Sequence, residues 1–417
     1  MNSNTQLMTE SFFRASGLAA DFAAESRLGI YVHVPFCPHI CPYCDFVKTA
    51  KFSRADVSAY FSQLIVQFDV LCTQVPDDIT TVTVYLGGGT PSLFPAAYYQ
   101  PLIQKISSRF RIEEFTVETN PFTNSNKAFS EWTALGATRM TLGAQSLNPD
   151  VLKYLGRKHT AEQILKNVRS ALAAGFKQVQ ADLIFGVKSL ASQRLISDEI
   201  NQLRDCGSTG VSCYLLTIEE TTPFSSESTA EDNVVIAEYE SIIATCGAAG
   251  FIQHETSNFS LSAPVHNRLY WYGLPYLGLG TGAHGLLPPT AEHPFGRRYR
   301  VGPSTLRRNL GDDLMPFASD AEQLFTFDFS EDARSRNDAL QELLMTLLRT
   351  RNGIPLAWLS SVYEDSSLAA LWGDSRVRRA LDEGLLLLQD DRLSLTPREK
   401  IRGDSWSLLL AGILHPE

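Results

Sequence analysis

The sequence predicts an α/β protein built on parallel strands with crossover helices, closed or partly closed into a barrel. Three observations carry that prediction. Six β-prone runs recur between residues 28 and 218, helix-like segments separate them, and each run ends in a polar or glycine-rich cluster rather than a tight hairpin. The runs are Ile30–Val34, Val82–Leu86, Phe115–Val117, Arg139–Leu142, Val179–Ile184 and Val211–Leu216. In such a fold the functional loops gather at the C-terminal ends of the strands, so motifs far apart in sequence converge.

Each connecting element has its own signal. Val57, Phe61, Leu64, Phe68 and Leu71 in Ala55–Cys72 recur at the three- and four-residue spacing of a helix that buries one face. Thr160 and Gln163 have the spacing of a capping box, Ile164, Val168 and Leu172 form the apolar stripe behind it, and Gly175 suits the stop. Residues 1–27 form an N-terminal extension and 28–221 the barrel. Residues 222–328 read as loop-rich cover, with Gly278, Gly280, Gly282 and Gly285 close together. Residues 329–417 read as a small winged-helix-like module, from the stripe Leu340, Leu344, Leu347 and the apolar runs Leu385–Leu388 and Leu393–Leu395.

Composition narrows the functional classes. With 44% hydrophobic and 20% charged residues the chain reads as a globular protein, and its net charge of -10 lacks the basic footprint that nucleic acid requires. The C-terminal module agrees: residues 333–417 hold eleven Arg or Lys against twelve Asp or Glu. Met1 to Arg27 carries Glu10, Asp21 and Glu25 with no long apolar run, unlike a secretion signal. Seven cysteines, an odd number, then suggest reduced thiols or metal ligands and a cytoplasmic location. Cys72, Cys206, Cys213 and Cys246 are scattered singly and read as small buried hydrophobes.

The remaining three are not scattered. Cys37-Pro-His-Ile-Cys41-Pro-Tyr-Cys44 follows the first strand directly. Iron–sulfur cubes normally take four thiolates, so three with no fourth nearby imply one iron left open for an exchangeable ligand, which the amino and carboxylate groups of S-adenosylmethionine can fill. The alternative is a zinc knuckle completed by His33, His39 or a remote cysteine, although zinc sites usually pair CxxC units. After the second strand comes Val84-Tyr-Leu-Gly87-Gly-Gly-Thr90-Pro-Ser92, either a turn that lets backbone approach a ligand or a plain structural turn. Glu118, Gln145, Ser146 and Asp182 lie at or near the ends of the third, fourth and fifth strands, as ligand contacts, caps or core hydrogen bonds.

These motifs together resemble the HemN/HemW group of radical S-adenosylmethionine proteins. The likeness lies in Tyr31-Val-His-Val-Pro-Phe-Cys37, Gly87-Gly-Gly-Thr-Pro91, Gly143-Ala-Gln-Ser146, Leu155-Gly-Arg157 with His159, and Asp182-Leu-Ile-Phe-Gly186. It implies a three-quarter barrel of six β/α units, a 4Fe-4S cluster on Cys37, Cys41 and Cys44, and S-adenosylmethionine among Tyr31, Tyr43, Gly88, Gly89, Thr90, Glu118, Gln145, Arg157 and Asp182.

Within the group, Cys44 is followed by Asp45-Phe46 rather than by a further cysteine two residues on. His266-Asn-Arg-Leu-Tyr270-Trp271 reproduces the HNxxYW motif of the heme chaperones. The resemblance therefore implies heme as cargo, His266 as its axial ligand, and a heme-accepting protein, membrane-bound recipients included, as partner. The alternative is an oxygen-independent coproporphyrinogen III oxidase. His254 and His284 are secondary heme candidates, His33 is expected to support the cysteine loop by hydrogen bonding, and His39 to be exposed. Two segments depart from the family pattern: Val187-Lys188-Ser189 stands where a proline-glycine turn is usual, and His254 and Thr256 replace a tyrosine and an isoleucine.

Overall fold

The computed structural model describes residues 27–122, 126–188, 194–302, 326–329 and 334–415. The expected N-terminal extension lies outside them except for Arg27, as does Ser189. All six predicted runs are strands: β1 (Arg27–Val34), β2 (Thr81–Gly88), β3 (Arg111–Thr119), β4 (Arg139–Gln145), β5 (Gln178–Phe185) and β6 (Gly210–Leu215). They pair in sequence order and in parallel. The helices α1 (Arg54–Cys72) and α5 (Ala161–Ala173) lie where periodicity placed them. The capping box of Thr160 with Gln163 is formed, and Gly175 takes φ +102°, a left-handed conformation costly for other residues. Between them run α2 (Gln100–Arg109), α3 (Asn126–Ala134) and the short α4 (Pro149–Tyr154); α6 (Ile196–Asp205) follows.

Side-chain alternation along each strand divides the molecule. Val82, Val84 and Leu86 of β2, Val117 of β3 and Leu142 of β4 join the apolar layer under the helices, with Leu64, Phe68, Tyr99 and Trp132. Each such buried side chain contributes about 1.5–3 kcal/mol. Thr83, Tyr85, Glu118, Arg139, Gln180, Asp182 and Ser212 belong to the concave face, where they meet across the barrel. Asn258 Nδ2, for instance, donates to Gln180 Oε1 at 3.0 Å and to Ser212 Oγ at 3.2 Å.

The region read as loop-rich cover is more regular than its composition suggests. It holds α7 (Asp232–Ala248), the strands β7 (Ile252–Gln253) and β8 (Asn258–Ser260) beyond β6, and the helix α8 (Val265–Trp271). Its glycine-rich stretch is a strand and turn: β9 (Tyr276–Leu279) pairs in parallel with β1, and β10 (His284–Leu287), β11 (Arg297–Gly302) and β12 (Thr326–Phe329) continue the sheet outward. The glycines are there for close packing. A Cβ on Gly278 would stand 2.0 Å from the His284 carbonyl oxygen, and one on Gly285 2.2 Å from the Tyr299 ring. Among the described residues the resulting sheet has twelve strands and runs from β12 to β7, with no pairing between those two edges.

The C-terminal module spans that gap. Its first helix, α9 (Arg336–Arg349), is followed by β13 (Ile354–Pro355), three helices at Leu356–Val362, Asp365–Gly373 and Ser375–Asp382, the hairpin β14 (Leu386–Gln389) and β15 (Arg392–Leu395), and a last helix, Gly403–Leu414. The hairpin turns on Asp390 and Asp391, both at positive φ, as a two-residue type I′ turn demands. On one side Glu342 pairs with Arg298 of β11 at 2.6 Å; on the other Thr350 bridges to Glu255 between β7 and β8. One small unit thus touches both flanks of the open barrel.

Candidate functional site

The cysteine loop is held from two sides by motifs that are distant in sequence. On one side, Gly89 and Thr90 donate backbone N–H groups to the carbonyls of Val34 and Phe36, at 2.8 and 2.9 Å. A Cβ on Gly89 would come 2.8 Å from the Phe36 oxygen, and Gly88, at φ +104°, has the His33 ring 2.6 Å from its Cβ position. The glycines are therefore required for close backbone approach, beyond making a turn. On the other side Gly156, at φ +67°, packs on Pro42. His33 stays neutral, pushed down to about 4 by burial; its Nε2 donates to the Val47 carbonyl at 2.7 Å and its Nδ1 accepts from the Tyr31 hydroxyl at 3.0 Å. It ties the far end of the loop to β1.

Cys37, Cys41 and Cys44 line one end of a cavity of about 740 Å³ opening at the C-terminal ends of the strands. Thr90 Oγ1 lies 3.7 Å from Cys37 Sγ, and Arg157 Nη1 3.3 Å from Cys41 Sγ. Burial pushes the Cys37 thiol up to about 11 and raises that of Cys44. Among the described residues no three His, Cys, Asp or Glu side chains stand close enough to ligate a single metal ion. Three cysteines in one loop, with Thr90 and Arg157 beside two of their sulfurs, are a donor set of the kind an iron–sulfur cluster takes. His39 is half-buried rather than exposed, its ring against Phe122 and its Nε2 3.8 Å from Cys41 Sγ.

Eight of the nine residues expected around S-adenosylmethionine line the same cavity: Tyr43, Gly88, Gly89, Thr90, Glu118, Gln145, Arg157 and Asp182. Tyr31 does not; its hydroxyl serves His33 and its ring lies beside Tyr85. Gln145 is one of three non-glycine residues with positive φ among the described residues, at +65°, just past a register shift in the β4–β5 pairing. That strain turns its side chain toward the cavity. Ser146 anchors the turn by donating to the buried Glu199 carboxylate, itself paired with Arg194 at 2.7 Å. Glu118 accepts from the Tyr85 hydroxyl at 2.7 Å and from the Gly88 N–H at 3.0 Å, but desolvation outweighs both and pushes its carboxyl up to about 7. Asp182 is pushed up to about 6 by burial, offset in part by Arg139 below it, and its Oδ1 has no hydrogen-bond partner.

His266 lies elsewhere. The structure places it in the floor of the barrel, fully buried, with Thr83 Oγ1 2.7 Å from Nδ1 and the Tyr270 hydroxyl 2.6 Å from Nε2. Its helix is docked by Glu114, whose carboxylate accepts the N–H groups of Val265 and His266, each at 2.9 Å. The histidine expected as an axial heme ligand thus has both ring nitrogens hydrogen-bonded, and it does not line the cavity. Its neighbour is Tyr85, 5.1 Å between ring centroids, so the motif underpins the residue that holds Glu118. His254 is also engaged, Nε2 meeting the Ser260 carbonyl at 3.1 Å, while His284 is exposed on β10.

Sequence reading passed over Tyr85, Arg139 and Arg349. Tyr85 was inside a quoted motif, and Arg139 was a charge inside an apolar strand. Arg349, at the end of α9, gave no signal before the fold brought it to the cavity wall.

Comparison with known proteins agrees with this geometry. Residues 31–191 match the Radical SAM superfamily, and residues 335–401 the HemN C-terminal domain. Coproporphyrinogen III oxidase (HemN) from Escherichia coli, a radical SAM enzyme, shares the fold with a TM-score of 0.69 over 97% of this chain and 93% of its own, at 15% identity. The heme chaperone HemW of Lactococcus lactis is 28% identical over 88% of this chain and 93% of its own. That of Mycobacterium tuberculosis is 32% identical over 92% of this chain and 95% of its own. A likeness of that extent, with the cysteine loop and the HNxxYW helix both in place, makes this chain a member of the HemW family of radical SAM proteins.

Proposed function

We propose that the protein is a heme chaperone: it binds heme in the cavity and passes it to a heme-accepting protein, in the cytoplasm. The observation that carries this reading is the likeness to HemW chaperones over nearly the whole chain. The seven described cysteines, all free, suit a reducing compartment, and no helix among the described residues is long and apolar enough to cross a membrane.

At the cysteine end, Cys37, Cys41 and Cys44 would hold the 4Fe-4S cluster, with S-adenosylmethionine beside it. When bound there, the pair supplies a one-electron cleavage of a carbon–sulfur bond. The chain's own residues position that ligand. Glu118 and Asp182, when ionised, would accept hydrogen bonds from its donor groups, Arg157 would donate next to Cys41, and Gly88 and Gly89 would present backbone where a side chain would obstruct. Tyr43 packs near Phe224 and narrows the mouth on the α4 side.

The test is anaerobic. Reconstituted protein is titrated with heme and then mixed with a heme-free acceptor, and in parallel incubated with coproporphyrinogen III and S-adenosylmethionine. Stoichiometric heme binding followed by transfer supports the chaperone. Decarboxylation of coproporphyrinogen III without heme transfer would replace it by the oxidase.

A further inference from the structure

The cavity has a second end. Its wall also carries the apolar and aromatic side chains of Phe185, Leu215 and Tyr239, and Arg349 lines it with Thr256 and Ser257 of the turn between β7 and β8. This end lies where the C-terminal module spans the open barrel: the Tyr239 hydroxyl donates to the Thr256 carbonyl at 2.8 Å and Thr256 Oγ1 to the Lys400 carbonyl at 3.3 Å.

Polar groups here are incompletely satisfied. Arg349 lies with its guanidinium carbon 5.2 Å from the centre of the Trp271 ring. It stands 3.9 Å from the Glu255 carboxylate and 3.7 Å from that of Asp404, both beyond hydrogen-bond reach. Arg349 Nε, Trp271 Nε1 and Glu255 Oε2 are all buried without a hydrogen-bond partner. Orphans of this kind are uncommon in folded proteins, and of the three residues Arg349 is the one that lines the cavity, where its Nε is left for an absent partner. Two are donors that nothing in the protein accepts. Of the nearby carboxylates, Asp404 is exposed and screened by solvent, whereas Glu255 is held above the usual carboxylate range by burial. Lys400 is occupied, its Nζ donating to the Thr350 carbonyl at 2.6 Å.

We infer that Arg349, backed by Trp271, forms a carboxylate subsite at the far end of the cavity, which takes a propionate arm of the porphyrin while the apolar wall takes the ring. The inference rests on the chaperone reading and adds the orientation of the cargo: acid arm toward the C-terminal module, ring edge toward the cysteine end. An arginine is suited to the task because its planar fork binds a carboxylate through two parallel hydrogen bonds, and stacking on an indole fixes the plane of the fork.

The experiment compares heme with its dimethyl ester, which keeps the ring and iron but carries no carboxylate. Titrations use the full chain with its cluster reconstituted. The parent is expected to bind heme about tenfold more tightly than the ester, the value of one charge-assisted hydrogen-bonded pair. Arg349→Gln should lower heme affinity to that of the ester and leave the ester unchanged, Arg349→Lys should restore part of the difference, and Trp271→Phe should lower heme affinity alone. Heme and ester bound equally by the parent would overturn the subsite and leave the chaperone standing. So would an Arg349→Gln protein that loses affinity for both ligands equally, since Arg349 would then only clasp the module to the barrel. Failure of the parent to bind either ligand would overturn both readings.

Discussion

The two ends of the cavity are built on opposite terms. At the cysteine end, backbone N–H groups meet carbonyls at 2.8 and 2.9 Å, glycines admit contacts that a Cβ would forbid, and Glu118 is held by two donors. At the Arg349 end, three polar atoms are buried without partners and the nearest charges stand 3.7 and 3.9 Å apart. A resident cofactor rewards a rigid backbone cradle, because geometry fixed in advance need not be ordered on binding, and Asp182 Oδ1 and Arg157 Nε are left there without partners in the protein. A transient cargo must leave again, and an incompletely satisfied end supplies affinity without a tight enclosure.

The sharpest way to break that comparison is at the cysteines. Alanine at Cys37, Cys41 or Cys44 should take the iron content from about four per chain to near none, because a three-thiolate site has no spare ligand. Iron and sulfide analysis with the visible spectrum reads it. Retained iron in any one variant would remove that cysteine from the site and, with it, the claim that this end is built for a resident group.

Next in size are the carboxylates. Replacing Glu118 and Asp182 by Gln and Asn should weaken S-adenosylmethionine binding about 10- to 100-fold with iron unchanged, the range for two lost hydrogen bonds to charged groups. In the parent, affinity should fall as the pH drops through about 7 and then about 6, where the two groups take up protons and cease to accept. Equilibrium binding across that window checks it, and a flat profile would detach both residues from the ligand.

The cysteine end was legible in the sequence for the reason that makes it rigid. Cluster ligation, close backbone approach and strand-end carboxylates each need particular residues at short spacing, so CxxxCxxC, Gly87-Gly-Gly-Thr-Pro91 and Glu118 stand out before any fold is known. The six strands were legible too, because each parallel strand is buried and bounded by polar turns. What escaped is what tertiary packing decides. His266 beside Tyr270 and Trp271 looks like a ligand with a stacking surface, and only the fold shows Thr83, 183 residues away in sequence, at its Nδ1. The glycine-rich stretch at 276–285 looks like loop, since sequence does not show that His284 and Tyr299 occupy the space where side chains would be. Thr256, which stands out in the sequence as a departure from the family pattern, lines the cavity beside Ser257, and only the fold shows Arg349 arriving there from the C-terminal module.

The floor offers a third test, intermediate in size. His266→Ala removes a buried ring with both nitrogens engaged and leaves the Thr83 and Tyr270 hydroxyls facing a cavity, a loss of about 2–4 kcal/mol in stability. Chemical denaturation measures it. Because Tyr85 rests on His266 and holds Glu118, S-adenosylmethionine affinity should fall as well, while the Soret band of bound heme keeps its position. A Soret shift specific to His266→Ala, with stability intact, would return the histidine to the heme iron.

The smallest effect concerns Glu118 alone and requires its sign to be stated. Burial raises its carboxyl from the ordinary 4.5 to about 7, so between those values the folded chain holds a proton that the unfolded chain has released. Stability rises with pH only where the unfolded state binds more protons, and here the folded state does, so this group makes stability fall as pH climbs from about 4.5 to about 7. Above 7 the full cost of a buried charge is present; below 4.5 it is absent. Because Glu118 lines a cavity that water can enter, the cost is about 1–2 kcal/mol rather than the larger value its displacement alone would give. Glu118→Gln carries no proton to lose, so its stability curve should lack this component and cross that of the parent: equal or lower near pH 5, higher near pH 8. Cluster-free protein is the material to use, since bound S-adenosylmethionine would stabilise the ionised form and hide the crossing. A Glu118→Gln curve parallel to the parent's from pH 5 to 8 would mean that the two donors, Tyr85 and Gly88, outweigh desolvation, leaving Glu118 ionised throughout.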